Sequence, residues 1–251
     1  MRRLVSIGYI VMIFFILGCS GNKVNFSQLT PEEQLAAAKK LFAREKYFAA
    51  QEKFRMIVLQ NPGNVIIEEA QFYLAESYFY EKKYIMAIEE YEKLIRSLPS
   101  SPFIDDAYYK VGLCYYDLSP GYALDQEYTQ KAISQFKSFL TKYPNSELKD
   151  KVREKLQACH TKLAKKVYKT GELYRKMNYL RAAVISYKDV LEEYHDTEFV
   201  PNALYWLVKC NVKMENFEEA QKYYNQLTSS YAKTVWARRA EEEVDETKIP
   251  D

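Results

Sequence analysis

The chain has 251 residues, of which 48% are hydrophobic and 28% are charged, with only 7 glycines and 8 prolines. This composition is typical of long helices joined by short turns. The 36 basic and 34 acidic residues nearly cancel, and removal of Arg2 and Arg3 would leave 34 of each. A neutral chain argues against nucleic acid as a partner, because nucleic-acid binding depends on a basic surface.

The first 18 residues have the layout of a secretory signal. Arg2 and Arg3 precede an apolar stretch over 4–17 that is too short to span a membrane comfortably. The stretch ends at Gly18-Cys19 and resembles the lipobox of bacterial lipoproteins. The resemblance implies a signal peptide over 1–18, cleaved before Cys19, and a covalent lipid on Cys19 as the membrane anchor. The alternative is an uncleaved anchor with a chance cysteine.

Residues 19–30 hold this cysteine and a short polar tether, and a helix start follows. Thr30 is the predicted N-cap, Pro31 takes the first helical position, and Glu33 completes a capping box. The sequence therefore predicts that the folded part of the chain begins at 31.

In five places along the chain an alanine stands four residues ahead of an aromatic residue that is followed three residues later by a large aliphatic or aromatic residue. The pairs are Ala50–Phe54, Ala87–Tyr91, Ala132–Phe136, Ala183–Tyr187 and Ala220–Tyr224. This pattern is typical of the tetratricopeptide helix pair, a unit of about 34 residues that must stack because it cannot bury its apolar face alone. We predict an all-α fold, a tetratricopeptide-like α-solenoid of about five helix pairs.

The repeats are unevenly spaced, since their alanines lie 37, 45, 51 and 37 residues apart. The 45-residue interval predicts an insertion in the third repeat over 119–129. The 51-residue interval predicts a long helix over about 146–176 that joins the third and fourth repeats. The chain then divides into repeats one to three over 31–145, the long helix with repeats four and five over 146–240, and a polar tail over 241–251.

Several local features make the chain resemble the BamD family, the lipoproteins of the outer-membrane β-barrel assembly machine. Besides the lipobox and five repeats, these are the insertion with Leu124, Asp125 and Gln126 and the Tyr143-Pro144-Asn145-Ser146 close of the third repeat. The resemblance covers essentially the whole mature chain. His195 departs from it, because it replaces the proline that usually closes the fourth repeat.

The resemblance implies a lipid-anchored protein on the periplasmic face of the outer membrane. The expected partners are the POTRA domains of a BamA-like β-barrel protein and unfolded outer-membrane protein precursors, and contacts with other assembly lipoproteins stay open. In this family the amino-terminal repeats are linked to substrate recognition and the carboxy-terminal repeats to complex assembly. Residues 31–145 would thus be the substrate-recognition half and 146–240 the complex-docking half.

A stripe on the first helix of each early repeat is a candidate peptide-binding groove. Its positions are one step round the helix from the small residue of each repeat. The candidate residues are Lys39, Phe42, Phe72, Glu76, Phe79, Tyr109 and Tyr116, flanked by Leu35 and Leu113. The rings could receive the apolar side chains of an extended precursor, and Lys39 its terminal carboxylate. Alternatively, they fill the contacts between repeats or touch the insertion.

The remaining motifs point away from catalysis. Asp125 and Gln126 are expected to cap a turn or the next helix, with direct partner contact as the alternative. His160 and His195 are the only histidines and lack metal-ligand spacing, so no metal or other cofactor is expected. We also expect Cys114, Cys159 and Cys210 to be reduced packing residues. The alternative function is another periplasmic tetratricopeptide lipoprotein scaffold, such as a secretin pilot or an envelope or peptidoglycan coordinator.

Overall fold

A computed structural model describes residues 25–247, with side chains described to residue 242. The predicted signal peptide and Cys19 lie outside the described residues. Within this range a 3₁₀ turn at Phe26–Gln28 is followed by eleven α-helices. They are α1 Pro31–Ala43, α2 Tyr47–Gln60, α3 Ile66–Tyr80, α4 Tyr84–Ser97, α5 Ile104–Leu118, α6 Glu127–Lys142, α7 Lys149–Lys176, α8 Leu180–Glu193, α9 Phe199–Lys213, α10 Phe217–Ser230 and α11 Val235–Thr247.

The helices stack in chain order, each against the one before and the one after, from α1 to α10. Five pairs result, α1/α2, α3/α4, α5/α6, α7/α8 and α9/α10, and α11 closes the stack against α9 and α10. Such a stack buries one continuous core although each pair touches only its neighbours. The predicted all-α, tetratricopeptide-like solenoid is therefore confirmed.

The first helix begins at the predicted capping box. The Glu33 amide donates to Thr30 Oγ1 at 3.3 Å, and the Thr30 amide donates to Glu33 Oε2 at 2.9 Å. Gln34, which is buried, donates through Nε2 to the carbonyl oxygens of Phe26 at 3.1 Å and Leu29 at 3.3 Å. These bonds fix the point at which the tether joins the solenoid.

Within each of the first four repeats, a small residue on the first helix lets it approach an aromatic ring on the second. The rings of Phe54, Tyr91, Phe136 and Tyr187 are fully buried. The small residues are Ala38, Ala75, Gly112 and Gly171. The two glycines are required by the closeness of this approach, because a Cβ at either position would overlap the facing ring of Phe136 or Tyr187.

The turns between the two helices of four repeats contain a residue in the left-handed conformation, and in none of them is that residue a glycine. Glu45, Lys82, Asn178 and Glu215 have φ values of 59°, 59°, 63° and 62°. The residue after each donates its amide to a carbonyl five positions back, for example Lys46 to Leu41 and Lys83 to Tyr78, both at 3.0 Å. This is a Schellman closure, in which glycine is usual. In the third repeat the insertion takes the place of this turn.

The long helix α7 belongs to both halves of the molecule. It has 28 residues and matches the prediction of a long helix over about 146–176. Val152 and Cys159 on its first half join the core around Phe136 and Phe139 of the third repeat. Tyr168 on its second half joins the core of the last two repeats. One helix therefore closes the first three repeats and opens the fourth.

Cys114, Cys159 and Cys210 are free thiols and are buried, as predicted. Burial raises the pKa of the Cys159 and Cys210 thiols to about 11 and raises that of Cys114 further. At neutral pH these thiols are therefore protonated, unreactive packing groups.

The carboxy-terminal segment continues as a helix. The polar tail that the sequence predicts from residue 241 begins inside α11, which ends at Thr247. On the solenoid side of α11, Ala237 and Ala240 are buried, and the Trp236 ring centroid lies 5.2 Å from that of Tyr205. This helix covers the open face of the fifth repeat, as the terminal unit of a solenoid must.

The close approach of Gly112 to Phe136 leads to a prediction about stability. A Gly112→Ala change gains about 1 kcal/mol of helix propensity, but overpacking a filled core costs about 1–3 kcal/mol. Because the added Cβ would overlap the Phe136 ring, we expect a net loss of up to about 2 kcal/mol in urea unfolding. Gly121→Ala is the matched control, since a Cβ there meets nothing within 4 Å. A Gly112→Ala protein more stable than the parent would contradict this packing.

Candidate binding surfaces

The predicted stripe lies where one repeat meets the next. Phe42 packs edge-on against Tyr73 of the second repeat, with ring centroids 5.2 Å apart. Lys110 Nζ of the third repeat lies 4.6 Å from the Phe79 ring centroid. The Tyr116 ring has two lysines of α7 over it, Lys155 at 5.1 Å and Lys162 at 5.3 Å. We call this line of ring and cation contacts between first helices the inter-repeat seam.

Two other stripe residues are packing groups. The Phe72 ring stacks on Phe103, in the connection that precedes α5, with centroids 4.9 Å apart. Tyr109 is only 9% exposed and lies against Phe136 and Phe139 of its own repeat. Phe72 is partly covered and Tyr109 is inaccessible, so the five rings do not form one continuous open groove.

Glu76 is the buried acid of the stripe and belongs to an internal network. It is 6% exposed, accepts a hydrogen bond from Tyr91 Oη, and pairs with Lys110 Nζ at 2.7 Å. Burial, together with the Glu76 carboxylate, raises the pKa of Tyr91 well above its usual value, so Tyr91 stays a donor. The network links the second and third repeats and compensates the charge that Glu76 brings into the core.

Lys39 already has an acidic partner within the protein. Its Nζ donates to Glu69 Oε1 of the second repeat, and this hydrogen bond raises the pKa of Lys39. The same Nζ lies 5.2 Å from the Tyr73 ring centroid. Lys39 is partly exposed, so an incoming carboxylate would have to compete with Glu69 for it.

An accessible aromatic surface lies at the edge of the stripe and shares Phe42 with it. Tyr80 is 49% exposed and stacks on Tyr47, with centroids 5.3 Å apart and planes 12° apart. Phe42 packs edge-on against both rings, at 5.3 and 5.5 Å. We call Phe42, Tyr47 and Tyr80 the Tyr80 cluster. Sequence reasoning found only Phe42, although the aromatic residues that crowd the turns of the first two repeats were a visible signal.

The insertion is tied down by its own polar side chains. Gln126 is buried, and its Nε2 donates to the carbonyl oxygens of Gly121 at 2.9 Å and Leu124 at 3.0 Å. Asp125 Oδ1 accepts from the Glu127 amide at 2.8 Å at the start of α6. The Leu124 side chain is exposed. Of these three residues, Leu124 offers the apolar contact to solvent, while Asp125 and Gln126 make internal bonds.

Helix α7 fastens the insertion to the solenoid. Lys162 Nζ donates to Ser119 Oγ at 2.6 Å, and Lys166 Nζ donates to the Leu124 carbonyl oxygen at 2.8 Å. Lys165 Nζ lies 4.8 Å from the Tyr122 ring centroid. The insertion is thus a fixed part of the surface at the junction of the two halves.

Over residues 25–247 the structure shows neither a metal-ligand cluster nor a helix that could span a membrane. In this range no group of histidine, cysteine, aspartate and glutamate side chains is arranged to hold a metal ion. His160 Nδ1 instead lies 3.1 Å from Asp196 Oδ2. No helix of the described range has both the length and the apolar character needed to cross a membrane.

These features define a class of protein, a tetratricopeptide-like solenoid that offers aromatic and charged surfaces between its repeats. Comparison of the sequence with known families then identifies the particular one. Residues 27–227 match the model of the YfiO family, described as outer membrane lipoprotein. The chain therefore belongs to the YfiO family of outer membrane lipoproteins.

Relatives of known name agree with this assignment. The outer membrane protein assembly factor BamD of Rickettsia prowazekii is 30% identical over 196 residues, 78% of each chain. That of Caulobacter vibrioides is 29% identical over 110 residues, which cover 44% of this chain and 36% of the relative. Among solved structures, the chain is similar to the TPR2AB domain of yeast Sti1 in complex with pHSP90. The identity is 14%, the TM-score is 0.45, and the match covers 86% of this chain and 84% of that chain.

The network around Glu76 gives a prediction about coupling between repeats. Lys110→Met leaves Glu76 without its cation, and breaking a buried pair costs about 3–5 kcal/mol. Because Lys110 keeps some contact with solvent, we expect a loss of about 2–3 kcal/mol in urea unfolding. In the Lys110→Met/Glu76→Gln double variant part of this stability should return, since the amide can still accept from Tyr91 without a buried charge. A double variant as unstable as the sum of the two single variants would contradict the coupling.

Proposed function

We propose that this protein is a non-catalytic, lipid-anchored subunit of the outer-membrane protein assembly complex, held at the periplasmic face by a lipid on Cys19. It recruits unfolded β-barrel precursors and docks on the POTRA domains of a BamA-like barrel protein. The observation that carries the proposal is the similarity to the Rickettsia prowazekii assembly factor, which extends over 78% of both chains. The lipobox ahead of the tether supports the anchor.

The first three repeats are the proposed client-binding half. In the Tyr80 cluster about half of the Tyr80 side chain is open to solvent. Phe48, which is 62% exposed, lies next to Tyr47 in the chain, with Lys83 Nζ 5.7 Å from its ring centroid. An extended precursor with alternating apolar side chains can bury them on such rings, and each aromatic pair adds about 0.5–1.5 kcal/mol beyond the area buried. Phe79 borders this surface, since its ring packs edge-on against that of Tyr80 with centroids 5.7 Å apart.

The second half is the proposed docking half. Its exposed apolar side chains gather near the end of α7 and the start of α8, and include Leu173, Met177, Tyr179 and Ile185. A group of exposed apolar residues of this kind marks an interaction surface on a water-soluble domain. Because α7 joins the two halves, a docked partner and a bound client would be held at a fixed separation.

The proposal is tested by purifying the tagged protein from detergent-solubilised outer membranes and identifying its partners by mass spectrometry. We expect a barrel protein with POTRA domains to co-purify in near-stoichiometric amount. A Cys19→Ala variant provides the control for anchoring, since its precursor should stay uncleaved and should be missing from the outer-membrane fraction. Recovery of a secretin in place of the barrel protein would instead assign the chain to secretin assembly.

Client binding at the Tyr80 cluster is tested by site-specific photocrosslinking. A benzoylphenylalanine at Tyr80 places a photoreactive benzophenone at a position that is 49% exposed and can therefore hold its second ring. It should capture the carboxy-terminal segments of barrel precursors in living cells. Leu59 is the matched control, because it lies on α2 of the same half and is 73% exposed. Equal capture from both sites, or capture from Leu59 alone, would rule out this surface as the client site.

A further inference from the structure

The inter-repeat seam changes its chemistry in the second half of the molecule. Phe42, Phe79 and Tyr116 each stand four residues after the small residue of their first helix, and Arg175 holds that position in the fourth repeat. Arg175 packs on Trp206 of the fifth repeat, with its guanidinium carbon 3.7 Å from the ring centroid. Here the cation comes from the earlier repeat and the ring from the later one, the reverse of the Phe79–Lys110 pair.

A cavity of about 300 Å³ opens beside this contact, between the end of α7, the start of α8 and α9. Three cationic side chains line it, Arg175, Lys209 and Lys213, together with Trp206 and the apolar Leu180 and Val212. Among the described residues, none of those that line it is acidic. We call this cavity the Arg175 pocket.

Two of these cations, Arg175 and Lys213, have no acidic partner among the described residues that line the pocket. Lys213 Nζ donates to Asn178 Oδ1 at 2.8 Å, which is a neutral acceptor. Glu172, an acid one turn before Arg175, is held by Lys169 at 2.6 Å. That hydrogen bond, with Lys176 and Arg175 nearby, lowers the pKa of Glu172 and keeps its carboxylate engaged there. Arg175 and Lys213 therefore keep positive charge in the pocket.

The Arg175 guanidinium has more donors than its internal contact uses. It faces the buried Tyr187 hydroxyl, and this interaction opposes the rise in the pKa of Tyr187 that burial causes. A guanidinium has five N–H donors, so this contact leaves others available. The stack on Trp206 fixes the plane of the guanidinium, so that its remaining donors are pre-organised for a planar, bidentate acceptor.

We propose that the Arg175 pocket binds a carboxylate of a protein partner, an Asp or Glu side chain that is adjacent to an apolar residue. The carboxylate pairs with Arg175 and Lys213, and the neighbouring apolar side chain fills the part walled by Leu180, Val212 and the Trp206 ring. Apolar walls favour this occupant over a hydrated phosphate, because burying an aliphatic side chain adds affinity that a phosphate lacks. Binding at this pocket does not depend on which complex the protein joins.

The test uses two short peptides that differ in one group, acetyl-Ala-Leu-Glu-Ala-amide and acetyl-Ala-Leu-Gln-Ala-amide. Trp206 is one of two tryptophans, so in a Trp236→Phe background its fluorescence reports the pocket alone. We expect saturable binding of the glutamate peptide, with the glutamine peptide at least fivefold weaker. Calorimetric titration of the unsubstituted protein gives the same comparison if Trp236→Phe disturbs folding.

Arg175→Gln and Lys213→Gln should each weaken the glutamate peptide at least fivefold. Lys222→Gln is the matched control, since Lys222 also lies over a ring, 5.5 Å from the Tyr223 centroid, and its loss changes the net charge equally. This control should change the affinity less than twofold. Equal binding of the two peptides, or unchanged binding by Arg175→Gln, would overturn the proposal. Inorganic phosphate that bound as tightly as the peptide would overturn the assignment to a protein carboxylate.

Discussion

The structure depends on one constraint, that a helix pair of this kind cannot bury its apolar face alone. Within a repeat the constraint is met by setting a ring of the second helix against a small residue of the first. The contact is tightest at Gly112 and Gly171, where even a Cβ would overlap the facing ring. Between repeats it is met by the inter-repeat seam, where rings and cations of successive first helices cover one another.

Helix α7 continues the stack of helix pairs past the insertion, where the repeat pattern is interrupted. The insertion removes the ordinary turn from the third repeat, and a chain interrupted there could form two separate solenoids. Instead, the first half of α7 supplies Val152 and Cys159 to the third repeat, and its second half supplies Tyr168 to the fourth. Its lysines also hold the insertion in place. The client-binding and docking surfaces proposed for the two halves are thereby parts of one body.

Much of the fold was predictable because its signals are local. The alanine-to-ring spacing marks each second helix, Thr30 and Glu33 mark the first helix start, and a run nearly free of breakers marks α7. The turns were less visible, since Glu45, Lys82 and Glu215 take a conformation in which glycine is the usual signal.

The candidate site was harder to predict, since seam contacts depend on how far each repeat is rotated against the next. Reading along single helices found Phe79 but could not pair it with Lys110, 31 positions later in the chain. Nor could it separate the buried Tyr109 from the exposed Tyr80, because aromatic residues occupy both faces of these helices. The sequence did contain one signal that was missed. The position four residues after the small residue, which defines the stripe in the first three repeats, is Arg175 in the fourth repeat.

The central claim is that a single unbroken helix makes the two halves one rigid solenoid. It is tested most directly by the distance between spin labels on cysteines introduced at Lys151 and Lys176, two exposed positions near the ends of α7. Among the described residues the native thiols, Cys114, Cys159 and Cys210, are buried and protonated, so labelling should be selective in protein produced without residues 1–19. Pulsed electron resonance should give one narrow distribution near 38 Å, on the order of 25 residues at 1.5 Å each. A broad or two-peaked distribution would mean that α7 bends or breaks and would contradict the account.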